Sequence, residues 1–188
     1  MEPQRPINKG EKQALSDLNR EIEDAVKKSK EGIRQLPVKH ILPGCAHTLV
    51  DAFGSITFTP ETSRKIAKLR HADPKLYGDT IGLIRKAHEI YAQGEKELQK
   101  IHDKLPPEAK DRYRAFMRGE AEWEEVHDAC KKRGFDGVSE LVDQTETHAR
   151  RGEKAKKLAE VLEQAHADKS ISDAVLRKNI ENIFYPER

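Results

Sequence analysis

Apolar and small residues recur along this chain at steps of three and four. The longest run is Tyr77, Thr80, Ile84, Ala87, Tyr91, Gly94, Leu98, Ile101 and Leu105, which an α-helix would stack on one face. A second run with the same period is Val138, Leu141, Thr145, His148, Gly152, Ala155, Ala159, Leu162 and His166. Together they predict two long amphipathic helices, over about 74–105 and 137–168. Leu15, Leu18, Ile22, Ala25, Ser29 and Leu36 predict an N-terminal helix over 8–36, ended by Pro37.

Punctuation residues place shorter helices between these. Thr59-Pro60-Glu61 opens one over about 61–71, and Asp73-Pro74 caps and starts the first long helix. Pro106-Pro107 stops that helix and begins another, which carries Tyr113 and Phe116 and pauses near Gly119. Trp123, Val126 and Cys130 mark a further helix, closed by Gly134 in the left-handed conformation. Ser172 caps the last, which carries Leu176, Ile180, Ile183 and Phe184.

One stretch breaks the pattern. Residues 36–60 contain only Lys39 and Asp51 as formal charges, whereas 36% of the whole chain is Asp, Glu, Lys or Arg. A segment that sheds its charges is expected to be buried, with Leu49, Val50, Phe53, Ile56 and Phe58 as its packing residues. The fold class that follows is all-α: an elongated helical bundle with two long helices packed around the buried segment 36–60. Residues 1–7 are expected to form a flexible tail. Residues 8–188 then form a single helical domain, in which 8–36 could stand as an extension.

Composition narrows the function. The 188 residues are 36% hydrophobic and 5% aromatic, with a net charge of +2. This argues against bulk electrostatic attraction to a polyanion and favours thin packing between helices over a wide core. Two cysteines are too few for a disulfide framework. The opening MEPQRPINKGEKQ has no apolar run, and no stretch of about 18 apolar residues occurs. A cytoplasmic protein with no membrane span is the expectation.

Candidate chemistry is sparse. Cys45 after Pro43-Gly44, with His47 and Asp51 nearby, could form a thiol-based catalytic site. Residues two apart on a helix point in different directions, so the site would need a histidine from elsewhere. Cys45 and His47 with His127 and Cys130 could instead hold zinc. Glu124–His127 and Glu163–His166 have the Glu-x-x-His spacing of carboxylate-bridged metal sites. For each the simpler account is a packed or solvated side chain, so no cofactor or metal is assigned and an enzyme is not favoured. There is no phosphate-binding glycine loop, no His-Glu-x-x-His and no pair of Cys-x-x-Cys motifs.

Basic residues cluster at Arg64, Lys65, Lys68, Arg70 and His71, at Lys131-Lys132-Arg133, and most densely at Arg150, Arg151, Lys154, Lys156 and Lys157. The densest group could bind a nucleic-acid backbone, although Glu146, Glu153 and Glu160 lie close by. The leading expectation is a non-enzymatic protein–protein interaction module that uses its long helix faces. Tyr77, Tyr91, Trp123 and Phe184 are its candidate anchors. The partner is another protein or a second copy, with nucleic acid as the rival ligand and the Cys45 site as a third reading.

Overall fold

A computed structural model describes residues 9–37, 60–132, 134–135 and 137–186. The described residues form seven α-helices and no strand. In chain order these are α1 (Lys9–Gln35), α2 (Pro60–Ala72), α3 (Pro74–Asp103), α4 (Pro107–Met117), α5 (Trp123–Lys132), α6 (Val138–Ala167) and α7 (Asp173–Phe184). The all-α class and the two long helices are thus as the periodicity predicts. Most of the charge-poor stretch lies outside the described residues, and with it the proposed hub of Leu49, Val50, Phe53, Ile56 and Phe58. Thr59, expected to open the second helix, also lies outside. Among the described residues no helix is long and apolar enough to cross a membrane.

Local chemistry accounts for the helix ends. Asp73 Oδ1 accepts from the Leu76 N–H at 2.9 Å, and Ser172 Oγ accepts from the Val175 N–H at 3.3 Å. Both satisfy donors that a first turn leaves without a partner. Gly119 and Gly134 have φ of 71° and 73°. Each is followed by a bond that reaches back five residues, from Glu120 N–H to Ala115 O and from Phe135 N–H to Cys130 O. These are left-handed glycine stops that satisfy the last carbonyls of α4 and α5.

The chain divides into two compact units, Met1–Lys28 with Gly94–Thr147, and Ser29–Gln93 with His148–Arg188. In the first unit Leu15, Leu18 and Ile22 of α1 share a core with Leu98 and Ile101 of α3, Val126 and Cys130 of α5, and Leu141 of α6. In the second, Tyr77, Ile84 and Ala87 of α3 pack with Ala155, Leu158 and Leu162 of α6 and with Leu176 and Ile180 of α7.

Within the second unit α3 and α6 run antiparallel. Tyr77 donates to the Leu162 carbonyl at 3.0 Å, while His88 Nδ1 lies 3.0 Å from the Gly152 carbonyl oxygen. Gly152 lies at this contact, where a methyl placed on it would meet Tyr91 Cβ at 3.4 Å. The small-residue seam therefore serves pairing within the chain. All nine positions of the first seam are buried. In the second, Thr145 is half-buried and His166 is exposed, laying its ring on Tyr77 with 5.7 Å between centroids.

Candidate functional site: an acidic-rimmed groove and a basic cleft

The first unit carries a groove of about 710 Å³ between the start of α1 and the turn from α3 to α4. Glu11, Ala14, Leu15, Leu18 and Glu21 recur at helical spacing, so they share one side of α1. Opposite them the chain must turn, because neither Pro106 nor Pro107 has an N–H to continue α3. The floor is apolar, made by Ala14, Leu15, Leu18, Leu105 and the two prolines. Among the described residues the rim carries four carboxylates, Glu11, Asp17, Glu21 and Glu108, against one cation, Lys104. Lys104 is already engaged, with its ammonium 2.6 and 2.8 Å from the two oxygens of Glu21. Asp17 accepts from Gln13 at 3.1 Å. Among the described residues the groove lining includes no cysteine, histidine, serine or threonine. Its chemistry is that of a binding surface, apolar in the middle and negative at the edge.

The second unit divides the basic cluster of α6. Arg150, Lys154 and Lys157, at helical spacing, line a cleft of about 380 Å³ together with Glu153, Asn182, Ile183 and Pro186. Lys157 pairs with Glu153 at 3.5 Å. Lys154 sets its ammonium 5.6 Å from the centre of the Phe184 ring. Burial, and then the charge of Arg150, hold its pKa below the ordinary lysine value. Arg151 is placed differently, with its guanidinium 5.8 Å from the Tyr91 ring. Lys156 is exposed and is not part of the cleft wall.

The aromatic candidates are engaged within their own units. Tyr77, Tyr91 and Phe184 are buried, and burial pushes the Tyr77 hydroxyl up to about 12. Trp123 is half-buried and meets Phe116 edge to face at 5.5 Å. Among the described residues the large apolar side chains that stand exposed are Met117, Val175 and Tyr185. Seam position and surface position look alike in a list of aromatic residues, so sequence spacing does not separate them.

Cys45, His47 and Asp51 lie outside the described residues. Of the remaining zinc candidates, Cys130 is fully buried and burial pushes its thiol up to about 11. His127 is half-buried, with Nδ1 3.8 Å from Asp128. In the Glu-x-x-His pairs, Glu124 is exposed, and Glu163 is held by a two-pronged contact with Arg85 that lowers its pKa. Among the described residues no group of three or more His, Cys, Asp or Glu side chains is placed to hold a metal ion.

Sequence reasoning missed the groove, because its walls lie more than eighty residues apart. The available signals were the acidic edges of the first α1 turns and the double-proline stop. Arg70, which the sequence groups with the basic residues of its helix, stands apart from them. It is buried, and it donates to the carbonyls of Ala165 and Ile171. Comparison of the chain with protein families, with curated proteins and with solved structures finds no match.

Proposed function

We infer that this chain is a helical interaction module whose first unit holds a short, cationic amphipathic segment of a partner protein. The observation that carries this reading is the groove itself, a leucine- and proline-lined floor inside a rim with four carboxylates and one cation. Burying two or three leucine-sized side chains on such a floor contributes roughly 4–8 kcal/mol. Association costs consume much of that, so the rim decides which segment binds. Carboxylates around an apolar groove favour lysine and arginine flanks and repel acidic ones. The binding mode is an amphipathic helix laid in a groove. The same surface in a second copy is the self-associating form of this reading.

The test uses two synthetic helical peptides with the same leucine stripe, one flanked by lysines and one by glutamates. Fluorescence anisotropy should give a Kd in the range of about 1–100 μM for the lysine peptide, at least about tenfold tighter than for the other. Ala14→Arg fills the groove from an exposed position, and Glu11→Lys with Glu108→Lys reverses the rim; both should weaken the lysine peptide and spare folding. Equal binding of the two peptides, or indifference to both variants, removes the reading. A concentration-dependent dimer that Ala14→Arg dissolves would identify the second copy as the occupant.

A further inference from the structure

The cleft on the second unit gathers three cations of one helix face. Some lysines and arginines elsewhere on this unit pair with carboxylates, as Lys65 does with Glu61, Arg85 with Glu163 and Arg177 with Glu181. Arg150 and Lys154 face one cleft, and among the described residues neither has an ion-pair partner. The third cation, Lys157, shares Glu153 with the same wall. The opposite wall offers the Asn182 side-chain amide and the apolar surfaces of Ile183 and Pro186.

Two like charges held side by side, with the one carboxylate of the wall, Glu153, paired to Lys157, form an anion site in waiting. A guanidinium presents a fork of donors that matches two phosphate oxygens, while an ammonium acts as a point charge beside it. The space is larger than a phosphate needs, and its remaining wall is apolar. We propose that Arg150 and Lys154 bind the phosphate group of a phosphate ester, whose organic part rests against Ile183 and Pro186. The bound anion would relieve the repulsion between the two cations, and Asn182 would supply a neutral donor. This goes beyond the groove reading and does not depend on it, since the groove belongs to the other unit.

The bland rival is structural. The last turn of α7 contains no basic residue of its own, so the cations of α6 could simply complement the negative end of that helix. Calorimetric titration of the full chain separates the two accounts, with inorganic phosphate, adenosine monophosphate and a single-stranded 12-mer oligonucleotide as probes. The proposal expects saturable binding of adenosine monophosphate, weakened about tenfold or more in Arg150→Gln with Lys154→Gln and unchanged in Lys156→Gln. An oligonucleotide that binds much more tightly than the mononucleotide, and shares its sensitivity to the double substitution, would identify a nucleic-acid backbone as the source of the phosphate. Comparable affinities would identify a small ester. If no probe saturates, or if the double variant binds as the wild type does, the proposal fails. A double variant that loses thermal stability with no binding to lose would assign the cations to α7.

Discussion

Arg70 donates from Nη2 to the carbonyl oxygen of Ile171 at 2.7 Å, joining two residues 101 positions apart. The same guanidinium reaches the Ala165 carbonyl at 3.2 Å and Asp173 Oδ1 at 3.3 Å. Ala165 lies in the last turn of α6, where carbonyls lack helical partners, and Asp173 is the first residue of α7. One planar side chain thus ties the end of one helix, the turn and the start of the next.

Replacing this group should therefore be costly. Arg70→Met keeps the stem but leaves two carbonyls and a carboxylate short of a donor, and should destabilise the second unit by about 3 kcal/mol. Arg70→Lys should recover only part of that, because an ammonium lacks the fork. Urea unfolding checks both. A loss below about 1 kcal/mol for Arg70→Met would mean that these bonds contribute little.

His102 gives the first unit a specific pH dependence. Thr145 donates its hydroxyl hydrogen to the Leu141 carbonyl at 2.6 Å, so the 3.2 Å contact from His102 Nε2 to Thr145 Oγ1 requires the histidine to donate. Nδ1 is then the unprotonated nitrogen, and it has no partner. The ring is buried and stacked on Tyr113 at 4.4 Å. Burial lowers its pKa to about 4, against a smaller opposing effect of Asp103. The unfolded chain takes up this proton near its ordinary value of about 6.5, before the folded one does. Stability from the neutral ring is therefore complete above that pH and is lost as pH falls towards 4. By pH 4.5 the loss should be about 2 kcal/mol, with allowance for solvent screening. Urea midpoints at pH 7.5 and 4.5 test this against His102→Gln, which keeps a donor and does not titrate. The wild type should lose more than the variant, and equal losses would exclude His102 as the cause.

Cys130 should be inert while the first unit is folded. Its side chain is fully buried, and burial raises the thiol to about 11, so the thiolate that reacts is scarce near neutral pH. In a Cys45→Ser protein, labelling by a thiol reagent at pH 7.5 should proceed only at the rate of opening. It should accelerate sharply in urea. Fast labelling without denaturant would place Cys130 within reach of solvent.

Much of this fold is legible in the chain because helical burial is a local property. The seam from Tyr77 to Leu105 repeats within one helix and its turn, so the pattern names the buried face without reference to any partner. What that face meets is a different question. Tyr77 bonds to Leu162 across 85 positions, and no local pattern distinguishes that use from an anchor at a surface. The groove is harder still, since Leu18 and Leu105 become neighbours in a core only after α1 and α3 have packed. Arg70 shows the same limit for charge. In the sequence it joins a run of exposed cations, and only the carbonyls of a distant turn make its burial favourable.

The glycines offer a final, finely graded test, because the space around each differs. Gly78 and Gly82 are exposed on α3, and a methyl placed on either would meet nothing within 4 Å. Nothing in the structure requires glycine there, so each change to alanine should stabilise by about 0.5–1 kcal/mol through helix propensity. Gly134→Ala should do the reverse by about 1 kcal/mol, since its φ of 73° strains any side chain. Gly137 depends on one neighbour. A methyl there would stand 2.0 Å from Asn19 Oδ1 and 3.2 Å from Phe135 Cε2. Asn19 Oδ1 is itself buried without a hydrogen-bond donor, so the clash falls on an atom with little to hold it. Gly137→Ala alone should cost about 1–2 kcal/mol as overpacking. Adding Asn19→Ala should recover more than half of that, a coupling that a double-mutant cycle measures directly. Strict additivity of the two substitutions would mean that Asn19 does not occupy the space beside Gly137.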